Sequence, residues 1–286
     1  MGVFKAAAIQ MRSGTDPERN VVDFEQMVRE AAANGARYVQ TPEMTNAIVR
    51  DSVARSTLFR PVESDLVAQA AKRLAAELGI HIHVGSNAIA LPDGKLANRA
   101  LLYDPNGELV TNYDKVHMFD VDLDNGESWR ESSAYEPGTE TVVADLPDAR
   151  IGLAVCYDLR FPQLFRAQAM AGAEVLTVPA AFTRQTGEAH WHVLLRARAI
   201  ENGAWVVAAA QGGLHEDGRE TYGHSLIVDP WGRVVADAGN AEPGIVYAEI
   251  DTAASAAARK KIPNLRNARD FSVRVAAGSP RLRAAS

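Results

Sequence analysis

Short apolar runs, each closed by turn residues, alternate with longer stretches of helical periodicity through both halves of the chain, and this alternation constrains the fold most. In the first half, residues 3–10 read as a strand. Asp16-Pro17 starts a helix, with Asp as cap and Pro at its first position, that runs to about Asn34-Gly35. Next come strand 38–41, an Ala-rich helix over 65–78 stopped by Gly79, and strands 80–90 and 97–103. The turn Pro105-Asn106-Gly107 leads into strand 109–113. The second half repeats the rhythm: strand 151–156, helix 161–171, strand 175–179, and helix 188–202 closed by Gly203. Strands at 205–210, 225–228, 234–236 and 245–250 and a helix over 252–261 complete it. Parallel neighbours need crossovers of about a dozen residues or more, and several of these strands follow one another too closely for that. The pattern is α/β with mixed sheets rather than one doubly wound sheet. No Ser/Gly tract divides the chain, so one domain over residues 1–270 is expected, with a tail over 271–286.

Composition narrows the function classes. A net charge of −6 without any basic run offers no field for a polyanion, so nucleic acid is not an expected partner. No apolar stretch reaches the ~18 residues of a membrane span. Met1-Gly2-Val3-Phe4-Lys5 opens a strand rather than a signal peptide, so neither a membrane partner nor export is expected. One cysteine excludes an internal disulfide, and a free thiol fits a reducing cytoplasm. Gly85 and Gly212-Gly213 build no phosphate-binding loop, so no nucleotide cofactor is expected.

The cysteine, Cys156, ends the apolar run Ile151-Gly152-Leu153-Ala154-Val155 and precedes Tyr157-Asp158-Leu159-Arg160-Phe161-Pro162, where a helix begins. Sheets of α/β proteins present their chemistry at such strand ends, and backbone N–H groups there bind developing negative charge. A lone cysteine in an apolar run is more often an inert core residue. Two other segments shift that balance. Val39-Gln40-Thr41-Pro42-Glu43 is a strand broken by Thr-Pro and followed by an acid. Tyr113-Asp114-Lys115-Val116-His117 is a strand breaking into Lys-x-His. Alone, Glu43 and Lys115 read as surface charges; together with Cys156 they can meet along one sheet edge. A thiol, with an unperturbed pKa near ~8.5, needs activation. Lys115 would favour the thiolate. Glu43 can take the thiol proton, pass it to a leaving nitrogen and later activate water. Lys115 and the N–H of Tyr157 are the natural oxyanion donors. No histidine base is needed.

In these residues the chain resembles the nitrilase, or carbon–nitrogen hydrolase, superfamily, whose signature is a Glu-Lys-Cys triad. The resemblance runs from Ala6-Ala7-Ala8-Ile9-Gln10 to Ile262-Pro263-Asn264. Within that superfamily, Lys115-Val116-His117-Met118-Phe119-Asp120, Cys156-Tyr157-Asp158-Leu159-Arg160-Phe161 and Tyr222-Gly223-His224-Ser225 are most similar to the deaminated glutathione amidases and omega-amidases. The resemblance implies a four-layer αββα sandwich. It implies catalytic roles for Glu43, Lys115 and Cys156, and a thioester intermediate without a cofactor. It also implies a second acid, Glu131 in Trp129-Arg130-Glu131-Ser132, placing Lys115 and the substrate nitrogen; a loop acid capping a turn is the other reading. The basic stretch after Ile262 reaches across a dimer interface in relatives, so a homodimer or higher homo-oligomer is expected.

Arg160, four residues after the thiol, is suited to clamp a substrate carboxylate bidentately, or else pairs with Asp158 or Glu174. Phe182 and Thr186, in the loop before helix 188–202, are expected to line the pocket. His190 and His192 do not share a helix face, and no acid or cysteine completes a set, so no metal is expected. The reading that follows is a hydrolase of small linear amides with a carboxylate-bearing acyl group. Deaminated glutathione, giving 2-oxoglutarate and Cys-Gly, is the first substrate. The alternatives are omega-amidase action on 2-oxoglutaramate or 2-oxosuccinamate, a broader amidase, a carbamoylase or a nitrilase, and a non-catalytic scaffold that retains the fold.

Overall fold

The computed structural model describes residues 2–122, 126 and 128–276. In chain order the elements are β1 (Val3–Gln10), α1 (Pro17–Ala33), β2 (Tyr38–Gln40), α2 (Ser52–Leu58), α3 (Leu66–Leu78), β3 (His81–Ala90), β4 (Leu96–Tyr103), β5 (Leu109–Asp114), β6 (Asp120–Asp122), β7 (Ser128–Arg130), β8 (Val142–Asp145), β9 (Arg150–Leu153), α4 (Pro162–Met170), β10 (Val175–Thr177), α5 (Arg184–Asn202), β11 (Trp205–Ala208), β12 (Gly212–Leu214), β13 (Glu220–Tyr222), β14 (Leu226–Val228), β15 (Val234–Asp237), β16 (Gly244–Asp251) and α6 (Thr252–Lys261). Helix starts follow the caps the sequence offers. Side chains of Asp16, Asp65 and Asp251 accept from Glu18 N (2.9 Å), Ala68 N (2.8 Å) and Ala253 N (2.8 Å). Helices α3 and α5 stop at Gly79 and Gly203, both left-handed.

Two six-stranded sheets form, in the orders β16-β1-β2-β3-β4-β5 and β15-β14-β11-β10-β9-β8. In each, three central strands are parallel (β1, β2, β3 and β9, β10, β11) and the flanking pairs are antiparallel. These are the mixed sheets the strand spacing required. Alternation along β1 shows how the layers stack. Ala6 and Ala8 lie in a core cluster with Leu153, Leu176 and Val207 of the opposite sheet. Ala7 and Ile9 instead join Phe24 and Val28 of α1 and Leu74 of α3. Period-2 side-chain placement therefore sends one face to the second sheet and the other to a helix layer. On the far side, Phe165 of α4 and Trp191 and Leu195 of α5 complete the cluster. The result is an αββα sandwich. Burial of each such large side chain contributes about 1.5–3 kcal/mol.

Several boundaries differ from the sequence expectation. The strand expected to reach Cys156 leaves its ladder after Leu153, because Val155 N bonds the Asp158 side chain at 2.9 Å and Cys156 turns left-handed, with φ of 49°. Helix α5 begins at Arg184, upstream of Gly187. A Cβ at Gly187 would sit 2.3 Å from Tyr222 Cβ, so this glycine allows close packing on the Tyr222 side chain rather than breaking the helix. Helix α2 and the β6–β7 and β12–β13 hairpins were not foreseen. Residues 277–286 of the expected tail lie outside the described residues.

Candidate active site

The three candidate catalytic groups come from both sheets. Glu43 follows β2 and Lys115 follows β5, both in the first sheet; Cys156 follows β9 in the second. Each stands just past a strand end, and all three side chains are buried. Lys115 Nζ donates to Glu43 Oε1 at 2.9 Å and to Glu131 Oε2 at 2.8 Å. Glu43 Oε2 accepts from Ala181 N at 2.8 Å, and the Cys156 thiol lies beside the Glu43 carboxylate, near enough that each shifts the other's ionisation. Glu131 is also fixed by Phe119 N at 2.7 Å. Glu131 is thus a direct partner of Lys115 rather than a turn cap.

The ionisation of the cluster follows from burial and charge. Burial favours neutral Lys115, but the carboxylates of Glu131 and Glu43 outweigh it and hold the ammonium well above its ordinary pKa. Burial likewise favours a protonated Glu43; the Lys115 ammonium, with the adjacent Cys156 thiol and hydrogen bonds from Lys115 and Asn98, overrides it and keeps the carboxyl below its usual value. For Cys156, burial and the Glu43 carboxylate both raise the thiol, and Lys115 opposes them without prevailing, so its pKa lies well above the ordinary value. The resting site therefore holds ammonium, carboxylate and neutral thiol. Lys115 pulls the thiol toward the thiolate, as expected from the sequence, but burial and Glu43 outweigh it. Two carboxylates share the one ammonium, and the one beside the sulfur disfavours a second negative charge.

Two residues that the sequence reading did not single out fix this geometry. Asn98 of β4 donates through Nδ2 to Glu43 Oε1 at 2.8 Å and to Glu131 Oε1 at 2.9 Å, spanning the two acids that flank Lys115. Asp158 is fully buried two residues after the thiol. It accepts from Val155 N (2.9 Å), Tyr113 Oη (2.7 Å) and His117 N (3.1 Å), and meets His117 Nδ1 at 2.7 Å. One carboxylate thus ties the Lys115 loop of the first sheet to the Cys156 turn of the second. A polar residue inside the apolar run of β4 was the available signal for Asn98.

All eight residues expected at the site, Glu43, Lys115, Glu131, Cys156, Tyr157, Arg160, Phe182 and Thr186, line one open pocket of about 300 Å³. Arg160 does not pair with Asp158 or Glu174. Asp158 is engaged as described, and Glu174 accepts from Arg150 N. The Arg160 guanidinium lies 5.4 Å from the Phe182 ring and 5.9 Å from the Tyr157 ring, and its Nη1 is 3.2 Å from His190 Nδ1. Thr186 Oγ1 bonds Thr183 Oγ1 at 2.8 Å. Tyr157 is the second residue of the short 3-10 turn Cys156–Arg160, where helical N–H groups lack intrahelical partners.

The histidines bring one correction. His192 does find an acid, though not with His190: its Nε2 lies 2.8 Å from Asp237 Oδ2, and His224 Nδ1 lies 3.1 Å from Asp237 Oδ1. Their ligand atoms fall within 4.8 Å of one another, the spacing of a group able to hold a metal ion. Here the imidazoles already occupy the carboxylate through hydrogen bonds. Among the described residues, no helix is long and apolar enough to cross a membrane.

Residues 5–260 match the carbon–nitrogen hydrolase family, and the chain belongs to it. It is a hydrolase of carbon–nitrogen bonds other than peptide bonds. It is 40% identical over 267 residues to the deaminated glutathione amidase of Yersinia enterocolitica, covering 92% of each chain. It superposes on the NitFhit protein of C. elegans with a TM-score of 0.87 at 35% identity, covering 94% of this chain and 66% of that one. A third relative is the amidase of Nesterenkonia sp. AN1, solved with acrylamide added at its active-site cysteine. It has a TM-score of 0.74 at 25% identity and is covered over 98% of its length by 91% of this chain.

Proposed function

We propose that the protein hydrolyses small linear amides whose acyl half carries a carboxylate, through a thioester on Cys156, with deaminated glutathione as first substrate. As Sγ attacks the amide carbonyl, Glu43 takes the thiol proton, which the resting pair keeps on sulfur until the carbonyl arrives. The oxyanion meets Lys115 Nζ and Tyr157 N–H. Glu43 returns the proton to the departing nitrogen, the C–N bond breaks, and the acyl group stays on sulfur. Glu43 then draws a proton from water, which attacks the thioester and releases the carboxylic acid and the thiol. Glu131 positions Lys115.

The observation that carries the substrate class is Arg160. It is a half-buried guanidinium one turn from the thiol, with no carboxylate partner among the described residues. Such a group is completed by a substrate carboxylate in bidentate contact. The relative from Yersinia enterocolitica, named for deaminated glutathione, supports the same substrate. The test is 2-oxoglutarate release from deaminated glutathione, with Cys156→Ala alongside. Release by the native chain that is lost in the variant is expected. Release that persists in the variant overturns the nucleophile, and no release with a reactive thiol overturns the substrate.

A further inference from the structure

Charge around the pocket is unevenly spent. Lys115 is matched by Glu43 and Glu131, and Arg130 by Asp122. Three other arginines line the same pocket, Arg50 after β2, Arg55 in α2, and Arg219 between β12 and β13, and among the described residues only Arg219 has an acid at ion-pair distance. Arg50 and Arg219 both pack on one indole, their guanidinium carbons 4.7 and 4.5 Å from the Trp129 ring centroid. Asp217 Oδ2 stands 3.7 Å from Arg219 Nη2, an ion pair too long for a hydrogen bond. The Nε atoms of Arg55 and Arg219 are buried and have no hydrogen-bond partner among the described residues. Three guanidinium groups on one pocket wall, with a single acid at ion-pair distance among the described residues, make that wall cationic and suited to an anionic group.

This cationic group is separate from Arg160. Phe119 stands between, its ring 6.4 Å from Trp129 and 5.1 Å from Tyr157, the ring under Arg160. The pocket thus has two guanidinium poles joined by an aromatic wall. Arg160 is on the turn that carries the thiol, so its pole serves the acyl group held on sulfur. Exposed Arg50 puts the other pole toward the opening, where a leaving group departs.

We infer that Arg50, Arg55 and Arg219 form a second anion subsite that takes a carboxylate on the leaving amine, so preferred substrates carry a carboxylate on each side of the scissile amide. This rests on the acyl-enzyme reading above and extends it to the other half of the substrate.

The test compares deaminated glutathione with its C-terminal carboxamide, which differs only in that charge. The native enzyme is expected to favour the carboxylate by about tenfold or more in kcat/KM, mainly through KM. Arg219→Gln and Arg50→Gln should collapse that ratio, and Arg219→Lys should retain part of it. Equal kcat/KM for the two substrates in the native enzyme, which needs no variant to fold, overturns the inference. So does a ratio that both Gln variants leave intact. If neither compound is hydrolysed, the substrate reading has failed, and protection of Cys156 from iodoacetamide decides the subsite separately. Alanyl-glycine should protect better than alanyl-glycinamide; equal protection, or none from either, overturns it.

Discussion

At the scale of single residues, the site depends on one neutral amide. Asn98 faces two carboxylates and donates to both, leaving Lys115 Nζ to bridge them from the other side. Asn98→Asp would set a third acid among them. Like charges so close cannot all ionise, so one carboxyl stays protonated near neutrality. Expected is a fall in kcat of about 10²-fold, the scale of a misplaced reacting group, together with a shift of the acidic limb of the kcat/KM profile to higher pH. A variant that is merely less stable would lose active protein without moving that limb. The sequence exposed Glu43, Lys115 and Cys156 because each follows an apolar strand. It did not expose Asn98, whose importance comes from facing groups 55 and 33 residues away in sequence. The net protonation of Cys156 was not legible for a related reason. A lysine near a thiol suggests a thiolate only until the number of carboxylates sharing that lysine is known.

At the scale of elements, the decisive piece is the turn after β9. Cys156 sits at φ of 49°, a region that costs a non-glycine residue about 1–3 kcal/mol. Asp158 holds it there through bonds to Val155, Tyr113 and His117, and His117 stacks on Phe161 at 3.5 Å. Removing the carboxylate leaves several buried donors unmet. Asp158→Ala should therefore destabilise by about 3–5 kcal/mol, lowering Tm by roughly 2–4 °C per kcal/mol for a chain of this size. Thermal scanning fluorimetry reads this directly, and a Tm within a degree of the native value would remove Asp158 as the brace. Existence and type of most elements were legible from periodicity. The His192–His224–Asp237 cluster was not, because its members belong to α5, the loop before β14 and the end of β15, which meet only in the folded chain.

At the scale of the whole molecule, the space between the sheets carries a pH dependence. His83 of β3 lies there, fully buried, bonded through Nδ1 to Tyr38 Oη at 2.7 Å, and burial holds its pKa down to about 3. The folded chain therefore keeps His83 neutral while the unfolded chain protonates it below ~6.5. The sign follows: folding is unpenalised by His83 above ~6.5 and loses stability as pH falls from there toward 3, by at most about 1.4 kcal/mol per pH unit. His215, also held below its ordinary value by burial, acts in the same direction. Denaturant melts at pH 7 and 5 should differ by roughly 2 kcal/mol from His83 alone, and His83→Gln should flatten the difference. An unchanged slope would place the pH dependence elsewhere. The two-sheet arrangement was not in the periodicity, which specifies strands and faces but not which faces pair.

That arrangement has one more consequence. The groups proposed to exchange a proton hang from different slabs, Glu43 from one and Cys156 from the other, with Asp158 and the Gln40–Ala209 bond at 3.1 Å among the polar pins between them. Turnover then works as a vernier for the alignment of the slabs. A slip of about an ångström between two intact slabs parts the proton from its acceptor while nearly all packing survives. On warming, the protein should fall silent before it melts.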